Sequence, residues 1–99
     1  MKVLLINGSP HKEGNTYLAL KECADVLNNE GIETEIFWIG NKPVRGCIGC
    51  GQCFKVKHCV FEDDALNEMV TKMKEADGYV VGSPVYYAGP NGALCALLD

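Results

Sequence analysis

The sequence predicts an α/β fold, a doubly wound parallel sheet with helices on both faces, on three observations. Segments of strand length alternate with segments of helical period, in the order strand, helix, strand, helix, strand. The first strand-length run is continuously apolar, as expected of a strand covered on both sides. Turn-rich segments follow each strand, at the end where open sheets of this kind bind ligands.

Val3-Leu4-Leu5-Ile6, stopped by Asn7-Gly8, reads as the first strand. Residues 16–29 read as a helix with Tyr17, Leu20, Ala24 and Leu27 on one face and Ala19, Cys23 and Val26 beside it. Asn15 suits its N-cap and Gly31 the left-handed position past its end. Cys23 reads as a small core residue. Residues 33–39 form a second strand whose first half alternates polar and apolar, the pattern of an edge strand. Residues 40–62 are turn-rich, with four cysteines and no sustained period. A second helix runs from about Asp63 to Glu75, with Leu66, Met69, Val70 and Met73 on one face and Asp63 and Asp64 near its positive end. Gly78–Gly82 is the third strand, and a further helix begins near Pro90-Asn91.

Right-handed crossovers give such units a parallel sheet. In the flavodoxin-like strand order 2-1-3-4-5, strand 2 is an edge and strands 1 and 3 are neighbours, which fits the patterns above. A strand–helix unit takes about 30 residues, so a five-stranded domain needs roughly 150. Residues 1–99 are therefore expected to be the N-terminal part of a single domain, truncated after strand 3 and the start of helix 3, with a cysteine-rich loop at 46–60. The third strand then carries an unpaired edge, which should pair with a missing half or another copy.

Composition narrows the function classes. With 47% hydrophobic and 22% charged residues, the chain is ordinary for a globular protein. A net charge of −4 argues against a nucleic-acid partner, which needs a basic face. No apolar stretch approaches the ~18 residues of a membrane span. The apolar run in MKVLLINGSP is too short for a signal peptide, so a cytoplasmic protein is expected. Six cysteines in that compartment point to metal binding or redox chemistry before disulfides.

Three loops carry the chemistry. Gly8-Ser9-Pro10-His11-Lys12-Glu13-Gly14-Asn15-Thr16 joins the first strand to the first helix. Its glycine spacing fits neither the Walker A loop nor the dinucleotide fingerprint. It offers backbone N–H groups at a helix N-terminus, with donors from Ser9, Asn15 and Thr16, and charge from His11 or Lys12 at the rim. That equipment suits a terminal monophosphate, the alternative being a capped turn with exposed polar residues. The loop Ser83–Pro90 is stiffened by two prolines and offers Tyr86 and Tyr87 as flat surface for a planar ring. Alternatively both tyrosines pack under the loop or at a subunit interface. The third loop holds Cys47-x2-Cys50-x2-Cys53-x5-Cys59, with Gly46, Gly49 and Gly51 between and beside the cysteines. A zinc ribbon needs two knuckles on a longer hairpin, and the ferredoxin run closes with a three-residue gap and a proline. One [4Fe–4S] cluster, a zinc ion and free or redox-active thiols all stay open. His58 reads as an exposed loop residue.

Ile6-Asn7-Gly8-Ser9-Pro10 with Gly14-Asn15-Thr16, then Ala76-Asp77 leading to Gly82-Ser83-Pro84-Val85-Tyr86-Tyr87, resembles the NAD(P)H-dependent FMN reductase family over the whole chain. Within it, the cysteine loop is similar to that of the iron–sulfur flavoproteins. The resemblance implies that Ser9, His11, Asn15 and Thr16 bind the phosphate of flavin mononucleotide (FMN), and that Pro84, Val85, Tyr86 and Tyr87 lie along its ring. It implies one [4Fe–4S] cluster on Cys47, Cys50, Cys53 and Cys59. Cys95 departs from the family, where many relatives carry lysine. The implied activity is electron transfer from NAD(P)H through FMN to a small-molecule or protein acceptor, with no catalytic side chain. Because strand 2 is an edge, the cysteine loop is expected to reach another subunit's flavin, hence a homo-oligomer. Two other classes stand beside this: a non-enzymatic electron carrier, and a metal-binding interaction module without flavin.

Overall fold

A computed structural model describes residues 1–42, 44, 46–60 and 65–98. Three strands, β1 (Lys2–Asn7), β2 (Glu33–Trp38) and β3 (Gly78–Gly82), form one parallel sheet in the order β2-β1-β3. Helices α1 (Asn15–Asn29), α2 (Cys53–Val56), α3 (Leu66–Glu75) and α4 (Gly92–Leu98) complete the described elements. The expected doubly wound arrangement is therefore present, with strand 1 between strands 2 and 3. None of the described helices is long and apolar enough to cross a membrane.

β1 is central because its side chains serve two cores. Leu4 and Ile6 face α3 and α4, joining Phe37, Met69, Leu94 and Leu97. Leu5 faces α1, joining Leu20 and Ala24, with Val3, Ile36 and Val80 against them. Leu4, Leu5 and Ile6 are fully buried. Parallel register pairs Leu5 with Ile36 and Val80, so the three strands contribute to the same layer.

Helix α1 places Leu20 and Ala24 inward as its period requires. Cys23 corrects the reading as a core residue: it is exposed, as are Ala19 and Val26. These three sit beside the inward stripe, and Cys23 lines an open groove with Val80 and Val81. The helix ends where Gly31 takes a φ of 80°, as its sequence position suggested. At the other end Gly14, not Asn15, is the N-cap, and Asn15 begins the helix.

The second strand ends at Trp38, and Ile39 is buried beyond it, its N–H bonded to the Asn7 carbonyl. Asp63 and Asp64, expected at the start of the second long helix, lie outside the described residues, and that helix is described from Leu66. Helix α2 inside the cysteine loop was not legible in the sequence, because four residues cannot show a helical period. β3 buries less than its apolar run suggested: Tyr79 and Val81 are 49% and 45% exposed. It lies at the edge of the described sheet.

Candidate functional site

The first and second loops meet because two glycines let backbone approach backbone. The Gly8 N–H donates to the Gly82 carbonyl at 2.8 Å. A Cβ at Gly82 would come within 3.0 Å of Thr16 Cγ2 and 3.2 Å of Leu20, so glycine there seats the start of α1 against the end of β3. Asn91 ties the same junction from outside. Its Nδ2 donates to the Gly8 carbonyl at 2.6 Å, and its backbone N–H donates to Ser83 Oγ at 2.8 Å.

Within the first loop, the fully buried Asn7 acts as a template. Its Oδ1 accepts the Ser9 N–H at 3.1 Å, and its Nδ2 donates to the Lys12 carbonyl at 3.1 Å. Trp38 braces the loop from β2, its indole N–H donating to the Ser9 carbonyl at 2.8 Å. The Lys12 ammonium lies 5.8 Å from the centre of the Trp38 ring, within cation–π range. Ser9 is buried, and its Oγ accepts the His11 N–H at 3.0 Å, so it shapes the turn and keeps its own proton to donate.

The start of α1 is suited to an anion. Gly14 has no side chain to cap it, and the first turn holds no acidic residue. The first N–H groups of a helix lack intrahelical partners and carry the positive end of its dipole. Asn15 and Thr16, at that end, share one groove with Ser83, Pro84 and Val85. His11 is exposed nearby in sequence and adds positive charge only when protonated.

The second loop presents Tyr87 on a strained turn. Tyr86 and Gly89 exchange both backbone hydrogen bonds, at 2.9 and 3.0 Å. Between them Tyr87 and Ala88 adopt φ values of 53° and 64°, the left-handed pair that asparagine and glycine usually supply. Such residues cost on the order of 1–3 kcal/mol each. The result is a Tyr87 ring fully in solvent, with Val85 75% and Tyr86 46% exposed. Neither tyrosine is packed away, which removes the alternative that they support the loop from beneath.

These features fit FMN: an uncapped helix start, hydroxyl and amide donors, and an exposed aromatic turn beside one groove. The sequence pointed to the two loops as the candidate site but not to Asn7, Trp38 and Asn91, whose hydrogen bonds hold those loops in place. Asn7 had looked like a strand stop, and nothing local marks the long-range bonds of Trp38 and Asn91.

The cysteine loop is different. All six cysteines are free thiols, and Cys47, Cys50 and Cys53 are exposed while Cys59 is half-buried. Among the described residues no three His, Cys, Asp or Glu side chains converge to hold a metal. The donors have the right chemistry for an iron–sulfur cluster, but as placed they do not fit one.

Fold and topology together define a flavodoxin-like α/β unit. The family of NADPH-dependent FMN reductases matches residues 1–99, and the chain belongs to that family. Over its full length it is 46% identical to an iron–sulfur flavoprotein of Methanocaldococcus jannaschii, covering 51% of that protein. It is 37% identical to the iron–sulfur flavoprotein of Methanosarcina thermophila, again covering 51%. To the FMN reductase (NADPH) of Pseudomonas putida it is 28% identical, covering all of this chain and 46% of that one. The chain thus spans about half the length of these relatives.

Proposed function

We propose that this chain binds FMN in an oxidoreductase that takes electrons from NAD(P)H and delivers them to a small-molecule or protein acceptor in the cytoplasm. One observation carries the reading: the Gly8–Gly82 hydrogen bond brings the uncapped start of α1 beside the loop that exposes Tyr87. Bound FMN supplies the hydride- and electron-accepting ring. The chain's own residues bind and orient it. Backbone N–H groups at the start of α1, with Ser9, Asn15 and Thr16, hold the phosphate, and His11 adds charge at the rim. Pro84, Val85, Tyr86 and Tyr87 hold the ring. Asn7, Trp38 and Asn91 keep the two loops in register. Position and electrostatics suffice, and no side chain is assigned a proton or a covalent bond.

Cys47, Cys50, Cys53 and Cys59 are proposed as the ligands of one [4Fe–4S] cluster. Their compact spacing and the names of the archaeal relatives support it. A homo-oligomer is supported by apolar side chains exposed on the same segment, Ile48 at 64% and Phe54 at 84%.

The test is an anaerobic absorption spectrum of the intact protein with iron and sulfide analysis, followed by addition of NADPH or NADH. Flavin bands over a broad visible absorbance, bleached by one of the nucleotides, are expected. Flavin that neither nucleotide reduces would make the protein an electron carrier. A colourless protein would make it a metal-binding interaction module.

A further inference from the structure

The loop between β1 and α1 is sorted by polarity. Three of its carbonyls are taken up by side-chain donors from three places in the fold. Gly8 accepts from Asn91 Nδ2 at 2.6 Å, Ser9 from the Trp38 indole N–H at 2.8 Å, and Lys12 from Asn7 Nδ2 at 3.1 Å. The early N–H groups are used as well. Gly8 donates to the Gly82 carbonyl, Ser9 to Asn7 Oδ1 and His11 to Ser9 Oγ, and Pro10 has no N–H. At the start of α1 the pattern reverses. Among the described residues no acceptor takes the N–H groups of Asn15, Thr16 and Tyr17, and the helix ladder begins with the Leu18 N–H on the Gly14 carbonyl at 3.1 Å.

The carbonyl donors and the free N–H groups belong to different sides of the loop. Asn15 and Thr16 line the groove shared with Ser83, Pro84 and Val85, and neither Trp38 nor Asn91 lines it. Trp38 lines a second groove, along β2, with Asn7, Lys12 and Ile36. Its ring holds the Lys12 ammonium on that side, 5.8 Å from the ring centre. The Ser9 carbonyl most needs such a hold. The peptide it belongs to runs into Pro10 and carries no N–H, so turned toward an anion it offers only a repelling oxygen.

Resting on the FMN reading above, we infer that Trp38 and Asn91 are positioning residues for anion recognition. They hold the Ser9 and Gly8 carbonyls from behind, so that the loop meets a phosphate with donors alone. The consequence is selective for charge. Hydrogen bonds to the ionised form of an acid stabilise that form, whereas a protonated phosphate needs an acceptor for its own proton. A loop that offers N–H groups and no free carbonyl therefore prefers a phosphate monoester as its dianion.

The experiment measures FMN and riboflavin affinities of the intact protein and follows the phosphorus resonance of bound FMN with pH. In the wild type the second pKa of the bound phosphate should lie below its usual value of about 6. Trp38→Phe keeps a ring beneath Lys12 and loses only the indole donor. It should weaken FMN about two- to tenfold, leave riboflavin unchanged, and raise that pKa. Asn91→Ser keeps an acceptor for the Ala93 N–H, which Asn91 Oδ1 takes at 3.3 Å, and loses its reach to the Gly8 carbonyl. It should act in the same direction, and it serves if the Trp38 variant fails to fold. Equal losses of FMN and riboflavin would make both residues general supports of the loop and overturn the inference. So would a phosphate titration that neither variant moves. A wild type that binds no flavin overturns the FMN reading itself, and this inference with it.

Discussion

A methyl group at position 8 would stand 2.7 Å from Leu94 Cδ2 and 2.9 Å from the Gly82 carbonyl oxygen. The second of these is backbone and cannot swing aside. Any side chain there must therefore separate the end of β1 from the end of β3, and with it the two loops. Overpacking of this kind costs about 1–3 kcal/mol. Gly8→Ala should lower unfolding stability by that amount, read from the denaturant midpoint, and weaken FMN and riboflavin alike because both halves of the site move. An unchanged midpoint would mean that the loops are not so closely joined. Cys23 teaches the opposite lesson at the same scale. Its helical position beside the inward stripe suggested core, but the groove it lines with Val80 and Val81 is open among the described residues, so its side chain stays wet.

At the scale of elements, α3 is joined to the sheet by charge as well as by apolar packing. Lys72 pairs with Glu35 of β2, and Lys2 of β1 lies 3.3 Å from the same carboxylate. Lys72 holds the Glu35 carboxyl below the usual glutamate range against the opposing effect of burial, with Lys2 assisting. Glu35 in turn raises the Lys72 ammonium above the usual lysine range. The lowered carboxyl adds stability that is complete above its unfolded pKa and is lost as pH falls through its folded one. The raised ammonium adds stability that is complete below its unfolded pKa and is lost as pH rises through its folded one. Lys72→Met should therefore be less stable than the wild type by a constant margin across neutral pH. Thermal melts should show the margin closing below about pH 4 and above about pH 10. Both side chains are partly solvated, so salt should shrink it too. A margin independent of pH would assign the effect to packing of the lysine stem.

For the molecule as a whole, what the sequence showed was what is local or periodic. The three strands, the inward stripe of α1 and the strand order follow from residues near one another in the chain. Gly31 was legible for the same reason, since a left-handed position past a helix end is a local requirement. What escaped was long-range or brief. The Asn91 bond to the Gly8 carbonyl spans 83 residues, and the Trp38 bond to the Ser9 carbonyl spans 29. The helix α2 is too short to declare itself. The eight residues proposed to bind flavin were named from the loops that carry them, yet the geometry of those loops rests on side chains in other elements.

The central claim is that the start of α1 and the Tyr86–Gly89 turn form one FMN site, with the phosphate on the helix. FMN and riboflavin differ only in that phosphate, so their affinities for the wild type and for Thr16→Ala separate recognition from folding. A hydrogen bond to a charged group contributes roughly 1.5–3 kcal/mol. The wild type should bind FMN far more tightly than riboflavin, and Thr16→Ala should weaken FMN about ten- to a hundredfold while leaving riboflavin almost unchanged. Equal losses for the two ligands would show that Thr16 supports the helix and that the phosphate is bound elsewhere.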